Sequence, residues 1–155
     1  MIPPELFEYI ESGISILVGS RSDRLLAEYC RGLGARVEAA GRELSVFLAE
    51  ATAAETLENF RNNGRVAVCF SRAADHRSLQ IKGSVISLRP ADEEERRLIL
   101  RYRGGLAETW GQIGIPPRIT LRIAHWPAIA VRLSVETVFD QTPGPGAGGV
   151  LGAVA

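Results

Sequence analysis

Apolar residues fall along this chain in two periods. Over AIAVRLSVETVF (128–139) they alternate, at Ile129, Val131, Leu133 and Val135, which is the two-residue period of a strand with one buried face. RSLQIKGSVISLRP (77–90) reads as a long strand stopped by Pro90, and RVAVCFS (65–71) as a shorter one. ISILVGS (14–20) is an apolar β-type run and SDR (22–24) a turn. LLAEYCRG (25–32) is a second strand, where Gly32 and Gly34 permit a bulge or a close backbone approach. ARVEAAGRELSVFLAE (35–50) reads as a hairpin broken at Ala40-Gly41, with Leu44, Val46 and Leu48 alternating after the break. RITLRIAH (118–125) is expected to add a further strand.

The helical period occupies three places. Pro3-Pro4 opens a short helix with Leu6, Phe7 and Ile10 on one face, ended at Gly13. TAAETLENFRNNG (52–64) has Thr52 as the expected cap, Glu55 three residues on and Asn62-Asn63-Gly64 as the stop. ADEEERRLILRYRGGLAETWGQIG (91–114) crowds acids into its first turn and arginines after them, the order that a helix dipole favours. A break is expected at Gly104-Gly105. The pattern totals about six or seven strands and three helices, with strands following strands in the first third. That excludes a doubly wound parallel sheet and favours a mainly β, α+β fold, an antiparallel barrel or sandwich with peripheral helices. One domain is expected over residues 1–140. Residues 141–155 form a Gly/Pro/Ala-rich tail, too poor in large apolar groups for a core of its own.

Composition narrows the function classes. Of 155 residues 46% are hydrophobic and 23% charged, and 18 basic side chains balance 18 acidic ones. Without a basic surplus there is no general case for nucleic acid or an anionic membrane. With aromatics at only 6%, the chain also lacks the interleaved aromatic and basic face that a single-strand-binding barrel needs. No apolar run approaches the ~20 residues that span a bilayer, and MIPPELFEYIES lacks the basic and apolar regions of a secretory signal. The expected place is the cytoplasm. Cys30 and Cys69 sit in apolar runs and read as buried free thiols, with no metal site. His76 and His125 lie far apart in sequence, and no nucleophile–base pair can be named. No Gly-rich phosphate loop follows a strand and precedes a helix.

One stretch stands out. In HRSLQIKGSV (76–85) alternation puts Arg77, Leu79, Ile81, Gly83 and Val85 on one face, and Ser78, Gln80, Lys82 and Ser84 on the other. The second row reads either as a solvated face or as the lining of a groove for a polar, anionic ligand. Lys82 is the only lysine; the other 17 basic residues are arginine. An ammonium is a compact, flexible point charge where a guanidinium is a rigid fork.

The run Y-C-R-G-L-G-A-R-V (29–37), G-R-E-L-S-V-F-L (41–48), T-L-E-N-F-R-N-N-G-R-V-A-V-C-F-S (56–71) and R-S-L-Q-I-K-G (77–83) resembles the FMN-binding split-barrel proteins, the pyridoxamine 5'-phosphate oxidase-like group. V-E-T-V-F-D-Q-T-P-G-P-G-A-G (135–148) is similar to a tail carried by short members. The resemblance implies a six-stranded antiparallel split barrel, a homodimer, and FMN in clefts at the interface. It implies that the strand around Cys30, Arg31 and Gly32 passes beside the isoalloxazine. It places Arg77, Ser78, Gln80 and Lys82 in the strand where relatives contact the flavin and its phosphate. The chain departs from the family where authentic oxidases grip the phosphate with a hydroxyl-rich stretch ending in lysine: here residues 49–56 read AEATAAET. It also lacks the C-terminal segment that binds a pyridoxal substrate. The expectation is a flavin-binding oxidoreductase-like protein of unassigned substrate, not pyridoxamine phosphate oxidase itself. The alternative is a non-catalytic module, a carrier, sensor or stress protein, holding flavin, deazaflavin or haem, and an empty site is the third case.

Overall fold

The structure, a computed structural model, describes residues 1–153. A single turn at Pro4–Leu6 leads into helix α1 (Phe7–Glu11). Then come β1 (Ser15–Arg21), β2 (Ala27–Glu38), β3 (Glu43–Ala49), α2 (Ala54–Asn63), β4 (Arg65–Ser71) and β5 (Ser78–Pro90). The chain continues through α3 (Glu93–Gly111), α4 (Pro117–Thr120), β6 (Ala128–Asp140) and β7 (Val150–Ala153). The strands are hydrogen-bonded antiparallel in the order β3-β2-β1-β4-β5-β6-β7, and β3 also pairs with β6. That last pairing closes β1 to β6 into a six-stranded barrel, which removes the free edges of an open sheet.

The barrel core is filled by alternate residues of each strand, among them Ile16 and Val18, Leu44, Val46 and Leu48, Val68 and Phe70, Leu79 and Ile81, and Leu133 and Val135. Strand β3 is buried on both faces. Leu44, Val46 and Leu48 point inward, while Phe47 and Ala49 belong to a second cluster with Leu33, Ile99, Ala128 and Ala130, under α3.

Several expectations need correction. The stretch 25–32 does not end before the hairpin: β2 runs unbroken from Ala27 to Glu38, shifting register between Gly32 and Ala35. Thr52 does not cap α2, which starts from Ala53 with no side-chain cap; Gly64, in the left-handed region, does end it. Helix α3 is continuous through Gly104-Gly105. Gly105 is needed there for another reason, since a Cβ on it would stand 3.0 Å from the Ser12 carbonyl oxygen. Residues 118–125 form no strand. Pro117 starts a short helix, and the Arg103 guanidinium donates to the carbonyls of Leu121 (2.6 Å) and Ile123 (3.3 Å), so these need no strand partner. Finally, Val150–Ala153 pairs on the C-terminal half of β6, and backbone bonds from Asp140 to Gly148 and Gly149 fasten the loop between them.

Candidate functional site

Strand pairing assembles the outward residues of the barrel into rows. One row runs Arg31–Leu17–Cys69–Gln80–Phe139 across β2, β1, β4, β5 and β6. The next runs Tyr29–Gly19–Ala67–Lys82–Thr137. The alternation expected for residues 78–84 holds: Leu79, Ile81 and Gly83 are buried, and Gln80 and Lys82 face out.

The seven candidates from the sequence do not converge. Arg31 and Gln80 share a row, with Leu17 and Cys69 between them. Gln80 Nε2 lies 3.6 Å from Cys69 Sγ, and Gln141 donates to Gln80 Oε1 at 3.5 Å. Lys82 lies in the adjacent row, its Nζ 5.2 Å from the centre of the Phe139 ring. Ser78 is at the start of β5, with its hydroxyl 3.0 Å from that of Ser71. Arg77 leaves this face: its guanidinium stacks on Tyr9, whose hydroxyl donates to the Arg77 carbonyl. Burial pushes the Tyr9 phenol up to about 12. Cys30 points into the barrel, and burial raises its thiol above the ordinary range while the Thr56 hydroxyl pulls it back. Gly32 also points inward, where a Cβ would meet Ile16 Cγ2 at 2.5 Å, so its role is to let β1 and β2 pack. Of the two free thiols only Cys30 is buried; Cys69 is partly exposed on the outward face.

Two cavities flank Tyr29. The first, about 360 Å³, is lined by Tyr29, Cys30, Arg31, Leu33, Thr52, Ile123 and Ala124. Arg31 is held at its side, 5.0 Å over the Trp110 ring and 3.3 Å from the Ser15 hydroxyl. Among the described residues it has no carboxylate partner. Thr52, from the stretch 49–56, lines this cavity two residues before α2 begins without a side-chain cap; the first N–H groups of α2 have no helical acceptor. The second cavity, about 500 Å³, has Gly19, Ala27, Ala67 and Gly83 on its floor and Tyr29, Arg21, Glu28, Arg65, Lys82 and Glu136 around it. Arg65 is occupied there by Glu136 at 3.0 Å and by the Ser84 hydroxyl at 3.1 Å.

Leu17 and Gly19 of these rows were missed in ISILVGS, which reads only as an apolar β-type run; its two-residue period is the signal that marks them as outward. The partners from other strands depend on registers that no single segment encodes. Neither His76 nor His125 lines either cavity. His125 is held below its usual range by burial and then by the Arg103 charge.

No family model and no curated protein matches the sequence. Solved structures do match its fold. They include an F420 reductase, at 15% identity over 88% of this chain and 98% of that one, with a TM-score of 0.59. An FMN-binding protein from Syntrophomonas wolfei matches at 9% identity over 97% and 89%, with a TM-score of 0.53. A Clostridium acetobutylicum protein related to general stress protein 26, of the pyridoxinephosphate oxidase family, matches at 15% identity over 89% of each chain, with a TM-score of 0.52. At these identities the likeness is one of fold, and the fold of this chain is the split barrel of the pyridoxamine 5'-phosphate oxidase-like proteins.

Proposed function

We propose that the chain is a homodimeric FMN-binding protein of the oxidoreductase type, with the flavin phosphate in the 360 Å³ cavity. One observation carries this reading: Arg31 and Thr52 line a single cavity, and Thr52 stands two residues before the uncapped α2, at the stretch where the oxidases grip the phosphate. A cation without a carboxylate partner, a hydroxyl and free backbone N–H groups are the donors that a phosphate dianion needs. The absent lysine of the family is thus replaced by a guanidinium already fixed against Trp110. FMN, when bound, supplies the electron or hydride transfer. The chain's own groups position it: Arg31 and α2 hold the charged tail, and the outward face of β2 lies beside the ring.

The second protomer follows from the outward sheet face. Leu17, Cys69 and Phe139 form its middle row, and Leu25 and Leu26 stand exposed on the β1–β2 turn. A second copy packed on that row covers these side chains and lends residues such as Gln80 and Ser78 to the opposite flavin.

FMN titrated into the apoprotein should lose fluorescence at micromolar concentration. Arg31→Ala should weaken binding about tenfold to a hundredfold, the worth of one charge-assisted bond of ~1.5–3 kcal/mol. Arg31→Lys should recover only part of it. FMN bound equally well by Arg31→Ala would move the phosphate elsewhere.

A second reading, a deazaflavin or flavin carrier without turnover, is favoured by the lining of that cavity. The titratable side chains presented to it are Tyr29 and Arg31, because the Cys30 thiol points into the barrel, where burial holds it protonated. The absorption spectrum of the purified protein separates flavin, deazaflavin and haem.

A further inference from the structure

We propose that the 500 Å³ cavity is a second site, a slot for a planar organic anion that serves as the substrate of the neighbouring flavin. The register makes the slot. Tyr29, Gly19, Ala67 and Lys82 are successive partners on β2, β1, β4 and β5. An aromatic ring that is 70% exposed stands at one end and an ammonium at the other. Between them are only a hydrogen and a methyl group. Three strand spacings separate the two ends, roughly 14 Å, so a flat ring can lie on the Gly19–Ala67 floor against Tyr29 with its acid group toward Lys82.

The charge selects an anion. The lining carries Arg21, Arg65 and Lys82 against Glu28 and Glu136, an excess of one positive charge. Arg65 is consumed by Glu136, whereas among the described residues Lys82 has no carboxylate within 4 Å, and Arg21 donates only to the Ser22 carbonyl, at 3.4 Å. Lysine suits this place because a point charge on a flexible stem can follow a carboxylate or phosphate of any orientation. The slot lies between the Leu17–Cys69–Phe139 row and the exposed Leu25-Leu26 turn, so a partner protomer seated on both forms its roof.

As a substrate site the slot rests on the flavin reading; as an anion site it does not, and the test separates the two. The probe is 2-naphthoate, followed by amide chemical shifts of the full chain without FMN, with 2-naphthylmethanol as its uncharged counterpart. The acid should shift the amides of Gly19, Ala67 and Gly83, and the alcohol should bind distinctly more weakly. Lys82→Gln should weaken the acid about tenfold. Gly19→Val should abolish binding by filling the floor. A Cβ at residue 19 meets only the Ala67 carbonyl oxygen at 3.6 Å and its Cβ at 4.0 Å, ordinary contact, so the strand accepts the change. Binding that survives both substitutions, or an alcohol that binds as well as the acid, overturns the proposal. If Gly19→Val loses naphthoate and keeps FMN, both sites stand. If the parent binds naphthoate but not FMN, the anion slot stands and its role as a flavin substrate site is overturned.

Discussion

Glu95 serves two elements with one carboxylate. Almost wholly buried, it accepts the Asp92 backbone N–H at 3.0 Å and a fork from Arg89 at 2.8 and 2.6 Å, with Arg36 at 3.8 Å. Asp92 in turn accepts the Glu95 N–H, completing the capping box of α3. Arg89 therefore pins the end of β5 to the start of α3. Breaking a buried pair from one side costs ~3–5 kcal/mol; Arg89 is half exposed and Arg36 remains nearby, so Arg89→Ala should lose about 2 kcal/mol, read as a lower urea midpoint. Asp75 is the contrasting case. The Arg72 fork holds its carboxyl down to about 2. A carboxylate depressed in the folded state adds stability above its ordinary titration range and loses it as pH falls toward the folded value. The Asp75 side-chain carboxyl carbon should thus show its own protonation step only below about pH 4, read from its NMR shift against pH. The acidic first turn of α3 was legible from Asp92 to Glu95. That Arg89 would reach back to it was not, because the contact joins a strand to the helix after it through side chains that carry no apolar period.

Two glycines show what the elements can and cannot absorb. A Cβ on Gly83 would stand 2.0 Å from the Ser134 carbonyl oxygen, at the bulge where β5 shifts register against β6. Gly83→Ala must push the two longest strands apart, and should cost more than ~3 kcal/mol or leave the protein insoluble. Gly104 in α3 has nothing within 4 Å of its would-be Cβ. Gly104→Ala should raise stability by ~0.5–1 kcal/mol through helix propensity alone, measured by thermal unfolding. The sequence shows two glycines side by side and suggests a break. The structure shows that one is neutral and the other lets α3 lie against Ser12 and Gly13. In the same way RITLRIAH imitates the period of a strand, but β1 to β6 pair with one another around the closed barrel, and Pro117 with Arg103 turns it into helix and bends. The strands read at 77–90 and 128–139 did form, each with neighbours on both sides of the barrel wall, although the alternation of the first holds only as far as Gly83.

At the scale of the whole molecule, Arg31 and Lys82 were legible as single residues of two strands, and the cavities they line were not. The other walls around Lys82 come from β1, β2 and β4, and their registers are set by barrel closure. The proposed dimer tests the outward sheet face as a unit. Leu17→Glu should yield a folded monomer by light scattering and weaken FMN binding as well, since each cleft then lacks its second wall. Closure has another consequence, in the order of events during synthesis. Val46 of β3 can find its partner Val131 only when almost the whole chain has been made. Until β6 emerges, β3 and β5 each present a long, apolar, unpaired edge, open to pairing with other nascent chains. Contacts this distant in sequence also form slowly. Ribosome-bound chains arrested before residue 128 should therefore be cut readily by protease and held by chaperones, and those arrested once β6 has left the tunnel should resist both.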